Sequence, residues 1–368
     1  MASILFVSKP VVPPWNDSGK NLVRDVARHM RKHRATIMSR AGAEPLPPAQ
    51  SLAVYARHSG GFAPGLTDQA RVFAHLLPSR GHAAWHFFFA PNPRSCLAGR
   101  VATRLRRVPS VHTLSSAPRD AAATVGQLFA DVNVVLSAHT ERLMLAAGLS
   151  EDRLVRIAPA IEPLTPFDAA ERAAARRAFG LDERAPVIVY PGDLEFGGGA
   201  ELAVDAMRDP ALAEISLVLA CRAKTARARG AELALRERVQ SLGLSARVRF
   251  VGETANIHAL LACSDVVVLP STDLYAKMDY PLVLLEAMSL ARPVIVAQGT
   301  PAAELCADEA ALAVEARPDA LSAALRALVE DAHARGKLGR AAARAVHTRY
   351  AAPNMASQYE AVYDRLLG

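Results

Sequence analysis

The chain has 368 residues, of which 51% are hydrophobic and 21% charged, which is too long for one hydrophobic core and too apolar for disorder, so two globular domains are expected. The net charge of +7 hides an asymmetry, because residues 1–165 hold 20 Lys and Arg against 10 Asp and Glu while the remainder is slightly acidic. No apolar run approaches the roughly 18 to 20 residues of a membrane span, and the opening MASILFVSKP has neither a basic leader nor a cleavage site, so a cytoplasmic protein is expected.

Ser3 to Ser8 is an apolar run that reads as a buried strand. A Pro-rich loop, KPVVPPWNDSG, and an amphipathic helix from about Lys20 to Lys32 follow it. Further strands are expected at Ala35–Met38, His86–Ala90, Ser110–Leu114 and Val132–Leu136, with helices between them, notably Leu66–Leu77 and Cys96–Arg107. Strands alternating with helices imply a parallel sheet covered on both faces. Residues 157–168 (IAPAIEPLTPFD) concentrate three prolines and read as an interdomain linker. The alternation then restarts: helix Ala169–Phe179, strand APVIVYPG, helix Ala200–Met207, strand SLVLAC, a long helix to Leu242 and strand RVRFVG. A short helix Asn256–Leu261, strand DVVVLP, helix Pro281–Leu290, strand PVIVA and a final helix Asn354–Leu367 complete it. In a second doubly wound domain of this kind the loops after Tyr190, Cys221, Val251, Leu269 and Val296 line the ligand site. The four cysteines, Cys96, Cys221, Cys263 and Cys306, lack metal or disulfide spacing and read as core thiols.

Residues 265–305 carry the most chemistry. A helix beginning near Tyr280 to Leu282 offers the backbone N–H groups around Tyr280, Pro281, Leu282 and Val283 to a phosphate, although Pro281 has none to give. Glu286, one and a half turns further on, is placed to accept hydrogen bonds from both hydroxyls of a ribose; taken alone it is equally a paired helix carboxylate. Gly192 opens the loop GDLEFGGGAE, whose triple glycine lacks dinucleotide-fingerprint spacing and lets backbone approach a ligand or relaxes a tight loop. NDSGKN is not a phosphate-binding P-loop, because Pro14 stands where the first glycine belongs and Asn21 where Ser or Thr belongs. The chain has no DxD pair, no HExxH and no nucleophile elbow, so no metal and no other cofactor is implied.

The run PLVLLEAMSLARPVIV resembles the C-terminal signature of GT-B glycosyltransferases of family GT4, in which a helix ending in Glu-Ala-Met precedes a Pro-Val-Ile strand. VVLSAHTERLMLAAGL, RIAPAIEP, VYPGDL, RVRFVGE and SDVVVLPS agree with it in order. The resemblance implies an α/β GT-B fold, two Rossmann-like doubly wound domains facing across a cleft. The acceptor-side domain is residues 1–162, with the C-terminal helix 353–368 packing back on it, and the nucleotide-sugar domain is residues 163–352. It implies sugar transfer from a UDP- or GDP-linked donor with retention at the anomeric carbon and without metal, Glu286 holding the ribose. Gly19, in the loop NDSGKN, then approaches the donor sugar.

The family pairs two glutamates eight positions apart, and the first position holds Met278 here, with Asp279 beside it and Lys277 before it. Asp279 either takes over the hydroxyl contact or N-caps the helix. The basic pair that the family places after the first strand of this domain is absent from residues 192–201. A departing diphosphate needs preorganised positive charge, so Arg222, Lys224 and Lys277 are the candidates to supply it. The family's N-domain histidine falls on His112, or on Ser115 in a register two or three residues later. The basic N-terminal half fits a lipid-linked or anionic acceptor, or a membrane surface met peripherally, better than nucleic acid, since aromatics are not interleaved with its cations. The rival to an enzyme is a non-catalytic glycosyltransferase-like binding or scaffold protein.

Overall fold

The computed structural model describes residues 1–56, 64–223, 225–275 and 277–368. The chain divides into two compact units. The first holds Met1–Glu162, Tyr350–Gly368 and a short stretch that includes Asp279 and Tyr280; the second holds Pro163–Tyr275 and Pro281–Arg349. The main run therefore changes unit inside the Pro-rich stretch.

In the first unit seven strands pair in parallel: β1 (Ser3–Val7), β2 (Arg34–Arg40), β3 (Gln50–Tyr55), β4 (Ala84–Phe88), β5 (Ser110–Leu114), β6 (Val132–Val135) and β7 (Leu154–Arg156). Their order is β3-β2-β1-β4-β5-β6-β7, so the winding reverses between β1 and β4. Five helices connect them: α1 (Ser18–His29), α2 (Leu66–Leu76), α3 (Pro93–Arg106), α4 (Ala121–Gln127) and α5 (Ala138–Ala146). Polar side chains start four of these. Asp17, Asn92, Asp120 and Ser137 each accept a hydrogen bond from the N–H of the third helical residue.

The second unit repeats the scheme with six parallel strands. They are β8 (Val187–Tyr190), β9 (Ser216–Leu219), β10 (Val248–Phe250), β11 (Val266–Leu269), β12 (Val294–Ala297) and β13 (Leu312–Val314), in the order β10-β9-β8-β11-β12-β13. Its helices are α6 (Ala169–Ala178), α7 (Gly199–Ala206), α8 (Ala226–Ser241), α9 (Ile257–Cys263), α10 (Leu282–Ser289), α11 (Pro318–Glu330) and α12 (Ala332–Arg349). The runs VIVY, VVVL and VIVA are buried end to end, as strands covered on both faces must be.

The last helix, α13 (Ala352–Leu367), belongs to the first unit. It buries Met355, Tyr359, Val362 and Tyr363, and its buried Glu360 accepts hydrogen bonds from the N–H groups of Arg31, Lys32 and His33 at 2.8, 2.5 and 3.0 Å. Those amides precede β2, so the carboxylate satisfies three donors that no strand or helix ladder serves. Strands β3, β7 and β13 were not expected, and each is an edge strand of its sheet. Two of them are only three residues long, and β3 is mostly exposed, so an edge position needs little of the apolar signal that marks a central strand.

Candidate active site

In the second unit the carboxyl ends of β8, β9, β10 and β11 and the start of α10 carry the residues of interest. The loop after β8 is pressed against the loop after β11. A Cβ on Gly197 would lie 2.6 Å from the carbonyl oxygen of Asp273, one on Gly199 would lie 2.2 Å from Ser271 Oγ, and one on Gly192 would lie 2.1 Å from the Tyr190 ring. Tyr190 donates to the Asp193 carbonyl at 2.9 Å, with Ser271 Oγ 3.2 Å away, and the Thr272 N–H donates to the Gly197 carbonyl at 3.0 Å. The glycines thus serve a backbone-to-backbone approach between two strand-end loops. Burial pushes the Tyr190 phenol above its usual range, so it is a neutral hydrogen-bonding post.

Arg222, after β9, reaches Glu253, after β10, at 2.9 Å and keeps 21% of its side chain exposed. Lys224 lies outside the described residues. Helix α10 starts at Leu282 with Pro281 as its N-cap and no side-chain cap. Glu286 is the fifth residue of that helix; its side chain is 17% exposed, and its Oε1 lies 3.6 Å from His258 Nε2 on α9. The sequence reading did not single out His258, which stands beside that carboxylate.

Two site expectations are corrected. Asp279 neither caps α10 nor is open to a ligand: it is buried, and its carboxylate accepts from the Ala117 N–H at 2.7 Å and from the Ser137 and Thr140 hydroxyls, each at 2.6 Å. All three partners lie in the first unit, where Asp279 braces the entry to α5. Burial raises its pKa despite these bonds. His112 does not face a sugar: it is fully buried inside β5, its Nε2 lies 3.0 Å from the Phe89 carbonyl, and its ring packs on Phe89 and Phe129. Ser115, just beyond β5, is the residue that lines open space.

The remaining positions divide between the units. Gly192, Arg222, Pro281, Leu282 and Glu286 fall in the second, whereas Gly19, Lys277 and Tyr280 fall in the first. Lys277 is half-buried, and Tyr280 is buried edge-on against Tyr350. Met278, at the family's first glutamate position, is buried. Gly19 lines a pocket of ≈ 440 Å³ in the first unit, next to the ion pair of Lys9 and Asp17. No group of His, Cys, Asp and Glu among the described residues is arranged to hold a metal. No described helix is long and apolar enough to cross a membrane.

Residues 171–345 match the family described as Glycosyl transferases group 1. The match spans just under half of the chain. The D-inositol 3-phosphate glycosyltransferase of Rhodococcus opacus (strain B4) is 31% identical over 220 residues, 52% of this chain and 47% of the relative; the same-named protein of Rhodococcus jostii (strain RHA1) is equally identical over 46% of its length. The chain thus spans about half the length of these relatives. HepE of Anabaena, solved with UDP and glucose, superposes with a TM-score of 0.79 at 17% identity, covering 99% of this chain and 100% of its own. The sucrose-phosphate synthase of Thermosynechococcus elongatus does so with 0.79 at 19%, over 100% and 99%. The matched segment and the sheet that precedes it therefore share the GT-B fold of two Rossmann-like domains, with Glu286 on the first helix after β11.

Proposed function

We propose that the chain is a glycosyltransferase that binds a nucleoside diphosphate sugar in its second unit. The observation that carries this reading is the group 1 match over residues 171–345, with Glu286 half-buried near the uncapped start of α10 inside it. Glu286 accepts from the ribose hydroxyls, the Leu282 and Val283 amides receive the diphosphate, and Arg222 meets its charge. The acceptor hydroxyl oxygen bonds to the anomeric carbon as the bond from that carbon to the diphosphate oxygen breaks. The nucleoside diphosphate leaves with the electron pair, the hydroxyl proton passes to it or to water, and configuration is retained without metal. UDP is the first base to try, since the matched HepE structure holds it.

The scaffold reading draws support from the ion pair that engages Arg222 and from a β8 loop without Lys or Arg. Titration calorimetry with UDP and GDP, with and without magnesium, separates the two. Metal-independent micromolar binding of one nucleotide, weakened about a hundredfold in Glu286→Ala by loss of two charge-assisted hydrogen bonds, is expected. Binding of neither nucleotide leaves the scaffold reading in place.

The first unit is further proposed to meet an anionic membrane surface. On α3, Leu97, Val101 and Leu105 are 59%, 39% and 66% exposed at a spacing of four, with Arg94 and Arg104 alongside. An apolar stripe edged by arginine is the form of a helix that lies in a lipid interface.

A further inference from the structure

The pocket of the first unit opens at the carboxyl ends of β1, β4 and β5, where the strand order reverses between β1 and β4. That is the place where doubly wound sheets bind ligands. Its wall is built by apolar side chains, among them Val7, Tyr55, Val72, Phe73, Phe87 and Phe89. Val72, Phe73 and Phe89 are only half-buried, although they rest on the core cluster around Trp85. Tyr55 spends its hydroxyl on the Ser8 carbonyl at 2.5 Å, and Thr113 holds its own on His86 Nε2 at 2.8 Å. These two polar groups are thus already engaged. Ser8, Gln69, Asn92, Ser95 and Ser116 also line the pocket, but a saccharide set against the apolar wall would leave the hydroxyls that face it without partners, a cost that an apolar ring does not carry.

The rim has a different character. Arg94, in the first turn of α3, is exposed and forms no ion pair among the described residues, while Ser115 follows the carboxyl end of β5. A volume of ≈ 440 Å³ falls within the range that encloses a drug-sized molecule rather than a long acyl chain.

We infer that this pocket binds a hydroxylated small molecule with an aromatic or alicyclic body and one carboxylate or phosphate, the anion meeting Arg94. Resting on the glycosyltransferase reading, this names the acceptor class: the apolar body fills the pocket, the anion meets Arg94 and a hydroxyl is left to receive the sugar.

Calorimetry on the full chain without nucleotide tests it, with 6-hydroxy-2-naphthoate, 2-naphthol and glucose 6-phosphate as probes. One naphthoate per chain is expected. Arg94→Ala should weaken naphthoate about tenfold, as one charge-assisted contact predicts, and leave 2-naphthol unchanged. Ala98→Phe, on the α3 face that lines the pocket, should weaken both naphthyl probes, with its fold checked by thermal melting. Arg94→Ala alters only an exposed side chain, so it keeps the test readable if Ala98→Phe unfolds. Tighter binding of glucose 6-phosphate than of naphthoate would overturn the proposal. So would absence of naphthoate binding, or naphthoate binding that neither substitution changes. The nucleotide titration reports the second unit alone, so failure there leaves this result interpretable.

Discussion

His86 and His112 stand on adjacent strands, both fully buried, and burial lowers both pKa values, that of His112 to about 4. His86 is held between Tyr363 at 2.6 Å and Thr113 at 2.8 Å. An unfolded chain takes up protons near the ordinary histidine value of 6.5 while the folded one does not. Stability is therefore full above pH 6.5 and lost as the pH falls towards 4, by about 3 kcal/mol for His112 alone. Urea midpoints measured from pH 7.5 to 4.5 should show this decline, and His112→Phe should flatten part of it; an unchanged slope would mean that His112 is protonated in the folded state. Asp279 makes the matching case for a carboxylate. Asp279→Ala leaves the Ala117 N–H and two hydroxyls short of an acceptor and should cost about 2 to 4 kcal/mol in urea unfolding, whereas Asp279→Asn keeps an oxygen for Ala117 and should cost less. Neither role was legible in sequence. A histidine in SVHTLSS reads alike whether it faces a ligand or fills a core, and the hydroxyl partners of Asp279 lie 142 and 139 positions away. Glu286 was singled out because its helix and the strand after it form one local pattern.

The β8 loop shows how the structure chooses between two readings of one glycine run. Its glycines suggested either a backbone approach to a ligand or a tight loop, and Gly197 and Gly199 are fitted against Ser271 and Asp273, and Gly192 against Tyr190. Gly197 and Gly198 both have positive φ, at 75° and 59°, but only Gly197 has backbone within contact of an added Cβ. Gly198→Ala should therefore cost only the left-handed strain of about 1 kcal/mol. Gly197→Ala should add a clash of roughly 1 to 3 kcal/mol and shift the β11 loop. Thermal unfolding of the two variants, with nucleotide titration of each, checks this: equal melting points would show that the loop yields freely. Central strands were legible because both faces are covered and the run is unbroken apolar, whereas edge strands β3, β7 and β13 gain much of their order from one neighbour.

At the scale of the whole chain, the restart of strand–helix alternation after a Pro-rich stretch was enough to read two doubly wound units. It could not reveal that Asp279 and Tyr280 are counted with the first unit, since they are flanked in sequence by the second. The charge asymmetry was equally plain, but only the structure distributes it, setting Arg94 and Arg104 beside the exposed Leu97, Val101 and Leu105 of α3. Each basic residue near an anionic bilayer contributes about 1 kcal/mol, and the effect fades within a Debye length. The full chain should therefore sediment with phosphatidylglycerol vesicles at low salt and not with phosphatidylcholine vesicles, and be largely released by about 0.5 M salt. Leu97 and Leu105 are too exposed to support the core, so the double substitution to Glu should keep the melting point while abolishing sedimentation. Retained binding by that variant would move the membrane contact to another face, and salt-insensitive binding would mean that apolar insertion rather than charge holds the protein there.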